Sequence, residues 1–207
     1  NLNSAFDGLY IQNKTGVTAS FSARPVYSTT IERYTLTADG KDFYGNPATS
    51  TPLTRDGNFT VTGTVTDSRG YSSVEHREIT VLPYRNPYLE PWSGYSSIVC
   101  ERSSQDGTYD DAGTYLHVRC KVVHSPVTVD GVNKNHCDLL CQYKVADGSW
   151  SEEIVLWESS NAISDSCDET LYDIVTQTDK SYSIRLIVVD SVGSREEYEF
   201  SIPTADV

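Results

Sequence analysis

Five cysteines carry the widest chemical repertoire in this chain: Cys100, Cys120, Cys137, Cys141 and Cys167, all in its second half. An odd number argues against a complete disulfide framework. Cys137 and Cys141 share one face of a predicted strand with Leu139 and Tyr143. Four residues along a strand span ~13 Å, too far for both thiolates to reach one zinc ion. The pair therefore reads as buried, inert thiols. A disulfide between Cys120 and Cys141 stays open for an oxidising compartment, and so does a zinc site built from Cys and His. The loop SSQDGTYDDAG offers Asp106, Asp110 and Asp111. Calcium needs several oxygens converging from one loop, usually with a Glu at the twelfth position, and that spacing is missing. A turn-rich surface loop is expected, with cation binding left open.

The histidines are His76, His117, His124 and His136. None has a nucleophile nearby in sequence, and GxSxG, HExxH and P-loop patterns are absent. His117 falls on the polar side of its predicted strand and is expected to be solvated. Trp92, Trp150 and Trp157 could stack on a sugar, or could be ordinary sandwich core. These residues predict no catalytic group, no metal site and no cofactor, and they assign no binding residue. The chain is expected not to be an enzyme.

The elements that would position these residues are strands. Period-2 alternation is the main pattern. In GVTASFSA, Val17, Ala19, Phe21 and Ala23 face one way. In YLHVRCKV, Leu116, Val118, Cys120 and Val122 face one way, and His117, Arg119 and Lys121 the other. In HCDLLCQYKV, Cys137, Leu139, Cys141, Tyr143 and Val145 share a face. An internal repeat is the most informative feature. FTVTGTVTDSRG, beginning at Phe59, aligns without gaps on YSIRLIVVDSVG, beginning at Tyr182. Phe59 meets Tyr182, Val65 meets Val188, Asp67 meets Asp190, and Gly70 meets Gly193. Each copy reads as a long strand, an Asx-turn closed by Asp, a left-handed Gly and a returning strand. Asp67 and Asp190 are thus turn residues.

The run LPYRNPYLEPW holds Pro83, Pro87 and Pro91. Such spacing predicts a semi-rigid extended connector near 83–91. The expected domains are 1–83 and 84–207. The fold class is all-β, two tandem Ig-like or fibronectin-III-like antiparallel sandwiches.

There are 14 Tyr, 13 Gly, 8 Pro and no Met. With no Met, the chain is expected to be a piece of a longer protein, with an array of similar modules as its parent. The net charge is -13. Residues 1–83 hold 7 basic against 8 acidic side chains, and the remainder 9 against 21, so the second half carries nearly all of the excess. Such a surface suits solubility and excludes nucleic acid, which needs Lys/Arg stripes. No apolar run approaches the ~18 residues of a membrane span, so membrane insertion is not expected.

Two resemblances add to this. The Tyr182 and Phe59 hairpins resemble the closing hairpin of Ig-like, polycystic-kidney-disease-type and fibronectin-III-like modules of bacterial surface proteins. More specifically, GLYIQNKTGVTASFSA, IERYTLTADGKDF, GTVTDSRGYSS and EITVLPYRNP resemble repeats in minor structural and tail proteins of siphophages infecting Gram-positive bacteria. The match continues through CERSSQDGTYDDAGTYL, YKVADGSWSE and YSIRLIVVDSVG, where Cys100, Asp106-Gly107 and Gly113-Thr114-Tyr115 fit the pattern. Cys120, Cys137, Cys141 and Cys167 do not belong to it. The resemblance implies an Ig-like fold and a place in a virion tail, tail tip or fibre. It implies a structural, non-enzymatic spacer or scaffold for host attachment, and it supplies no catalytic residues. Expected partners are other virion tail proteins or copies of the chain, and a host cell-surface glycan in the alternative reading. A spacer of a bacterial surface adhesin, at the cell surface, is the other alternative. In the domain described by the acidic half, any specific contact is expected first.

Overall fold

The computed structural model describes residues 2–159, 164–171 and 174–205. Among them, the helical element is a single 3-10 turn at Ser4–Phe6, and everything else regular is strand. The chain divides into two compact units. One is Phe6–Arg85, and the other is Asn86–Val207 together with Asn1–Ala5.

The first unit holds β1 (Tyr10–Ile11), β2 (Thr18–Ala19), β3 (Ile31–Ala38), β4 (Lys41–Tyr44), β5 (Ala48–Thr49), β6 (Gly57–Asp67) and β7 (Ser72–Leu82). Five of these form a sheet in the order β1-β7-β6-β3-β4, and β2 pairs with β5 alone. Val17, Leu36, Ala38, Ala48, Leu53, Val61 and Val81 fill the core between them. The second layer is therefore small. The stretch 17–23 keeps its expected alternation of inward and outward residues, but only Thr18–Ala19 lies in a ladder. Beyond that point the Asn46 side chain replaces a strand partner. Its Oδ1 accepts from the Phe21 N–H at 2.9 Å, and its Nδ2 donates to the Phe21 carbonyl at 2.8 Å.

The second unit holds β8 (Tyr88–Glu90), β9 (Val99–Ser103), β10 (Tyr115–Val123), β11 (Thr128–Val129), β12 (Val132–Asn133), β13 (Cys137–Val145), β14 (Ile154–Glu158), β15 (Ser164–Leu171), β16 (Tyr182–Asp190) and β17 (Arg195–Ile202). One sheet runs β14-β13-β16-β17. The other runs β15-β10-β8, with β9 also on β10. Leu116, Val118, Cys120 and Val122 from one sheet meet Leu139, Cys141, Ile184, Leu186 and Val188 from the other in a single core. Each strand contributes alternate residues, as two facing sheets require. This is the strand arrangement of an Ig-like or fibronectin-III-like sandwich.

The semi-rigid connector expected near 83–91 includes residues bonded to each unit and a short strand. Tyr84 is buried in the first unit, where its N–H donates to the Gln12 Oε1 at 3.2 Å. Asn86 is bonded within the second unit, to Glu196 and Ser194. Between Pro87 and Pro91, Tyr88–Glu90 forms β8 against Lys121–Val123. Three residues between prolines suffice for an edge strand, because only alternate N–H groups face the ladder.

Both repeat turns close as their sequence dictates. The Asp67 Oδ1 accepts from the Arg69 and Tyr71 N–H groups at 2.9 and 3.1 Å. The Asp190 Oδ1 accepts from Gly193 and Ser194 at 3.1 and 2.9 Å. Gly70 and Gly193 take φ of 84° and 101°, the left-handed region that a side chain disfavours.

The second unit is also fastened by Arg102, which is 3% exposed. Period 2 puts it on the inward face with Cys100. Its guanidinium donates to the carbonyls of Gly113 at 3.1 Å, Val175 at 2.6 Å, Gln177 at 3.1 Å, Lys180 at 2.9 Å and Pro203 at 3.2 Å. It also lies over the Tyr182 ring at 5.5 Å. One side chain thus satisfies carbonyls from three separate segments.

Candidate functional site

Two places gather polar and aromatic side chains. In the first unit, the small second layer leaves a cleft of about 700 Å³ over β6 and β7, covered in part by residues 19–26 and Thr29. Its floor includes Val61, Gly63, Val65 and Ile79, and its rim includes Arg24, Arg69, Tyr71 and Arg77. The chain turns over the rim at Val26–Thr29, where the Thr29 N–H and hydroxyl both donate to the Val26 carbonyl, at 3.2 and 2.7 Å. The two central residues, Tyr27 and Ser28, have φ of 53° and 57°. For a bulky residue this is strained backbone, of the kind found at ligand clamps and active sites. The turn leaves Tyr27 87% exposed. The Arg69 guanidinium lies 6.0 Å from the Tyr27 ring and 5.2 Å from the Tyr71 ring. Asp67 holds the same guanidinium at 2.9 Å, and that bond lowers the Asp67 carboxyl below its ordinary range.

In the second unit, strand pairing along one edge of β10 is interrupted. β8 pairs with Lys121–Val123 and β9 with Tyr115–Arg119, and residues 91–98 loop out between them. Trp92 and Tyr95 from this loop flank Arg119, whose guanidinium lies 5.6 and 5.3 Å from their ring centres. The Arg119 Nη2 donates to the Asp168 Oδ2 at 2.5 Å, and the His117 Nε2 bonds the Asp168 Oδ1 at 2.6 Å. The Arg119 bond, with His117 adding to it, lowers the Asp168 carboxyl against the opposing effect of burial. His117 is 6% exposed, so the expectation of a solvated ring is corrected. β10 is the central strand here, and His117 sits in register between Glu101 and Thr170. A polar face on a central strand is shielded from both sides, which period alone does not reveal. The His117 Nδ1 has no hydrogen-bond partner among the described residues.

The remaining predicted residues separate. Asp106 accepts from the Ser104 hydroxyl at 2.6 Å and the Thr108 N–H at 2.9 Å, which hold its carboxyl at about 2. Asp110 accepts from the Ala112 N–H at 3.1 Å. Among the described residues, no three His, Cys, Asp or Glu side chains converge as metal ligands. Trp157 packs against the core. The Trp150 ring lies under Arg185 at 4.1 Å and Lys144 at 4.9 Å. A cation therefore lies over one face of each of Trp92 and Trp150. All five cysteines are free thiols. Burial pushes Cys137 and Cys141 up to about 12. Cys120 faces Cys167 across the β10–β15 ladder rather than Cys141. The burial of Cys167 and its pairing went unread in the sequence, although its neighbours Ser166 and Asp168 alternate with it.

Fold and sites together define an all-β protein of Ig-like or fibronectin-III-like sandwich type, with its polar groups spent largely on turns and fastening. Residues 8–207 match the model of the family described as Siphovirus protein of unknown function (DUF859), and the chain belongs to that family. No curated protein matches it. Among solved structures, the chain is similar to the fibronectin(III)-like modules of Clostridium thermocellum CbhA. The identity is 13% over 99% of this chain and 93% of that one, with a TM-score of 0.32. It is also similar to a Ca2+-stabilized adhesin that helps an Antarctic bacterium bind ice, at 14% identity over 91% and 43% of the two chains and a TM-score of 0.38. The FN1–FN3 domains of chicken CNTN1 match at 13% identity over 94% and 64%, with a TM-score of 0.36.

Proposed function

We propose that this chain is a structural, non-enzymatic module of a siphovirus particle, a spacer or scaffold in the tail or tail fibre of a phage of Gram-positive bacteria. The observation that carries the reading is the siphovirus family match over residues 8–207. The physical design is consistent with it. Packed β units hold their shape, and Arg102 ties otherwise separate segments of the second unit. Partners are then other tail proteins or further copies of the chain. Quantitative mass spectrometry of gradient-purified particles tests the proposal. Peptides of this chain should appear in fixed stoichiometry to a known tail protein. Their absence from intact particles would sink it.

A second reading is contact with a host-surface glycan at the first-unit cleft. It is favoured by the strained turn that presents Tyr27 beside Arg69 and Tyr71. Aromatic faces with a guanidinium between them suit sugar rings and their hydroxyls. Cell-wall pull-down with the intact chain should then fail for Tyr71→Ala and persist for Trp92→Ala. Absence of binding by the unaltered chain would remove this reading.

A further inference from the structure

The core of the second unit contains a thiol pair that no turn, cap or ion pair uses. Cys120 on β10 and Cys167 on β15 are directly opposite in an antiparallel ladder of eight registered pairs. Both are buried, at 0% and 1% exposure. Directly opposite residues in such a ladder have Cα atoms about 4.5–5.5 Å apart. A disulfide spans Cα separations of about 4.4–6.8 Å. The two residues also lie in the same core cluster, so both side chains enter one apolar layer.

The other cysteines are placed less well. Cys100 is opposite Val118, which makes it a diagonal neighbour of Cys120. Diagonal positions lie about 7–8 Å apart, beyond what a disulfide bridges without backbone movement. Cys141 lies on β13 in the other sheet, and its Sγ is directed at the Gln142 carbonyl at 3.7 Å. Cys137 lies opposite Asp190 at the far end of the same strand.

We propose that Cys120 and Cys167 form an oxidisable site that closes as a cross-strand disulfide when the folded unit meets a low-molecular-weight disulfide. One cysteine thiolate attacks the small disulfide, forming a mixed disulfide and releasing one small thiol. The second cysteine displaces the other small thiol, leaving the Cys120–Cys167 bond. Two cysteine protons are given up, the protein loses two electrons, and the small disulfide is reduced to two thiols. Burial keeps both sulfurs from the reagent while the ladder is closed. β15 ends its sheet, so local opening of this strand exposes the pair.

The test uses the whole chain, incubated folded with oxidised glutathione. Thiols are counted after denaturation, and disulfide-linked peptides are mapped by mass spectrometry. The thiol count should fall from five, the number now free, by two. The linked peptide should join Cys120 to Cys167. Cys100→Ser should still lose two thiols, whereas Cys120→Ser and Cys167→Ser should each form no intramolecular bond. The same reagent on the chain in urea shows that the oxidant is active. Retention of all five thiols in the folded chain over that period would overturn the proposal. A linked peptide joining any other pair, or a stable glutathione adduct at either residue, would overturn it as well.

Discussion

Replacing Arg102 by Met removes five hydrogen bonds and a charge while keeping most of the apolar stem. The guanidinium is nearly inaccessible, and its recorded acceptors are all backbone carbonyls. Hydrogen bonds from a charged donor contribute about 1.5–3 kcal/mol each, but five on one group do not add. Two effects reduce the loss. Met avoids the desolvation of a buried cation, and the part-buried carbonyls of Gln177, Lys180 and Pro203 can turn to water. The Gly113 and Val175 carbonyls sit in buried bonds and would be left unsatisfied. Two unsatisfied carbonyls at about 1–3 kcal/mol each, plus lost stacking on Tyr182, give a destabilisation of about 3–5 kcal/mol. Arg102→Lys keeps the charge, but its three donors cannot span five acceptors in a fork, and about 2 kcal/mol is expected. The assay is urea unfolding followed by tryptophan fluorescence. It reports on the second unit alone, because Trp92, Trp150 and Trp157 all belong to it. With a slope of about 2 kcal/mol per molar urea, the Met variant should unfold about 2 M earlier. A loss below about 1 kcal/mol in the Met variant would refute the view that Arg102 fastens this unit.

Further expectations concern single contacts. Gly113→Ala puts a Cβ 2.2 Å from the Ser103 carbonyl oxygen, so the second unit should lose about 1–3 kcal/mol or more by the same urea assay. Asn46→Ala removes both bonds to Phe21, so the amide of Phe21 should exchange with solvent markedly faster, at a stability loss of about 1–2 kcal/mol. Asp39 is held at about 2, below its ordinary 3.8, by the Thr54 hydroxyl and N–H and by Arg55. A depressed carboxyl contributes stability that is present above pH 3.8 and is lost as pH falls toward 2. Asp39→Asn should flatten the acid unfolding profile of the first unit in that window, as read by tyrosine fluorescence or circular dichroism.

The repeat was legible because its information is local. Asp67 and Asp190 close their turns through N–H groups within four residues, and Gly70 and Gly193 follow from that geometry. The strands carrying Cys120 and Cys141 were legible for the same reason, since alternation is a property of neighbours. Arg102 was not read, because its acceptors lie up to 101 positions away. Its place on the inward face with Cys100 was the available clue. His117 was misread because outward and exposed are different properties on a central strand. Pro87 and Pro91 bound β8, an edge strand that needs few donors, and spacing alone did not place a strand there. The cleft left no trace in the pattern, because it reflects how few residues of 17–23 find a ladder partner.

The central claim is that the chain is built into the siphovirus particle. Immunogold electron microscopy with antibodies against this chain tests it most directly, on intact purified phage. The account predicts gold at reproducible positions along the tail or its fibres. Gold confined to the head, or no labelling of particles while free protein in the lysate reacts, would contradict it.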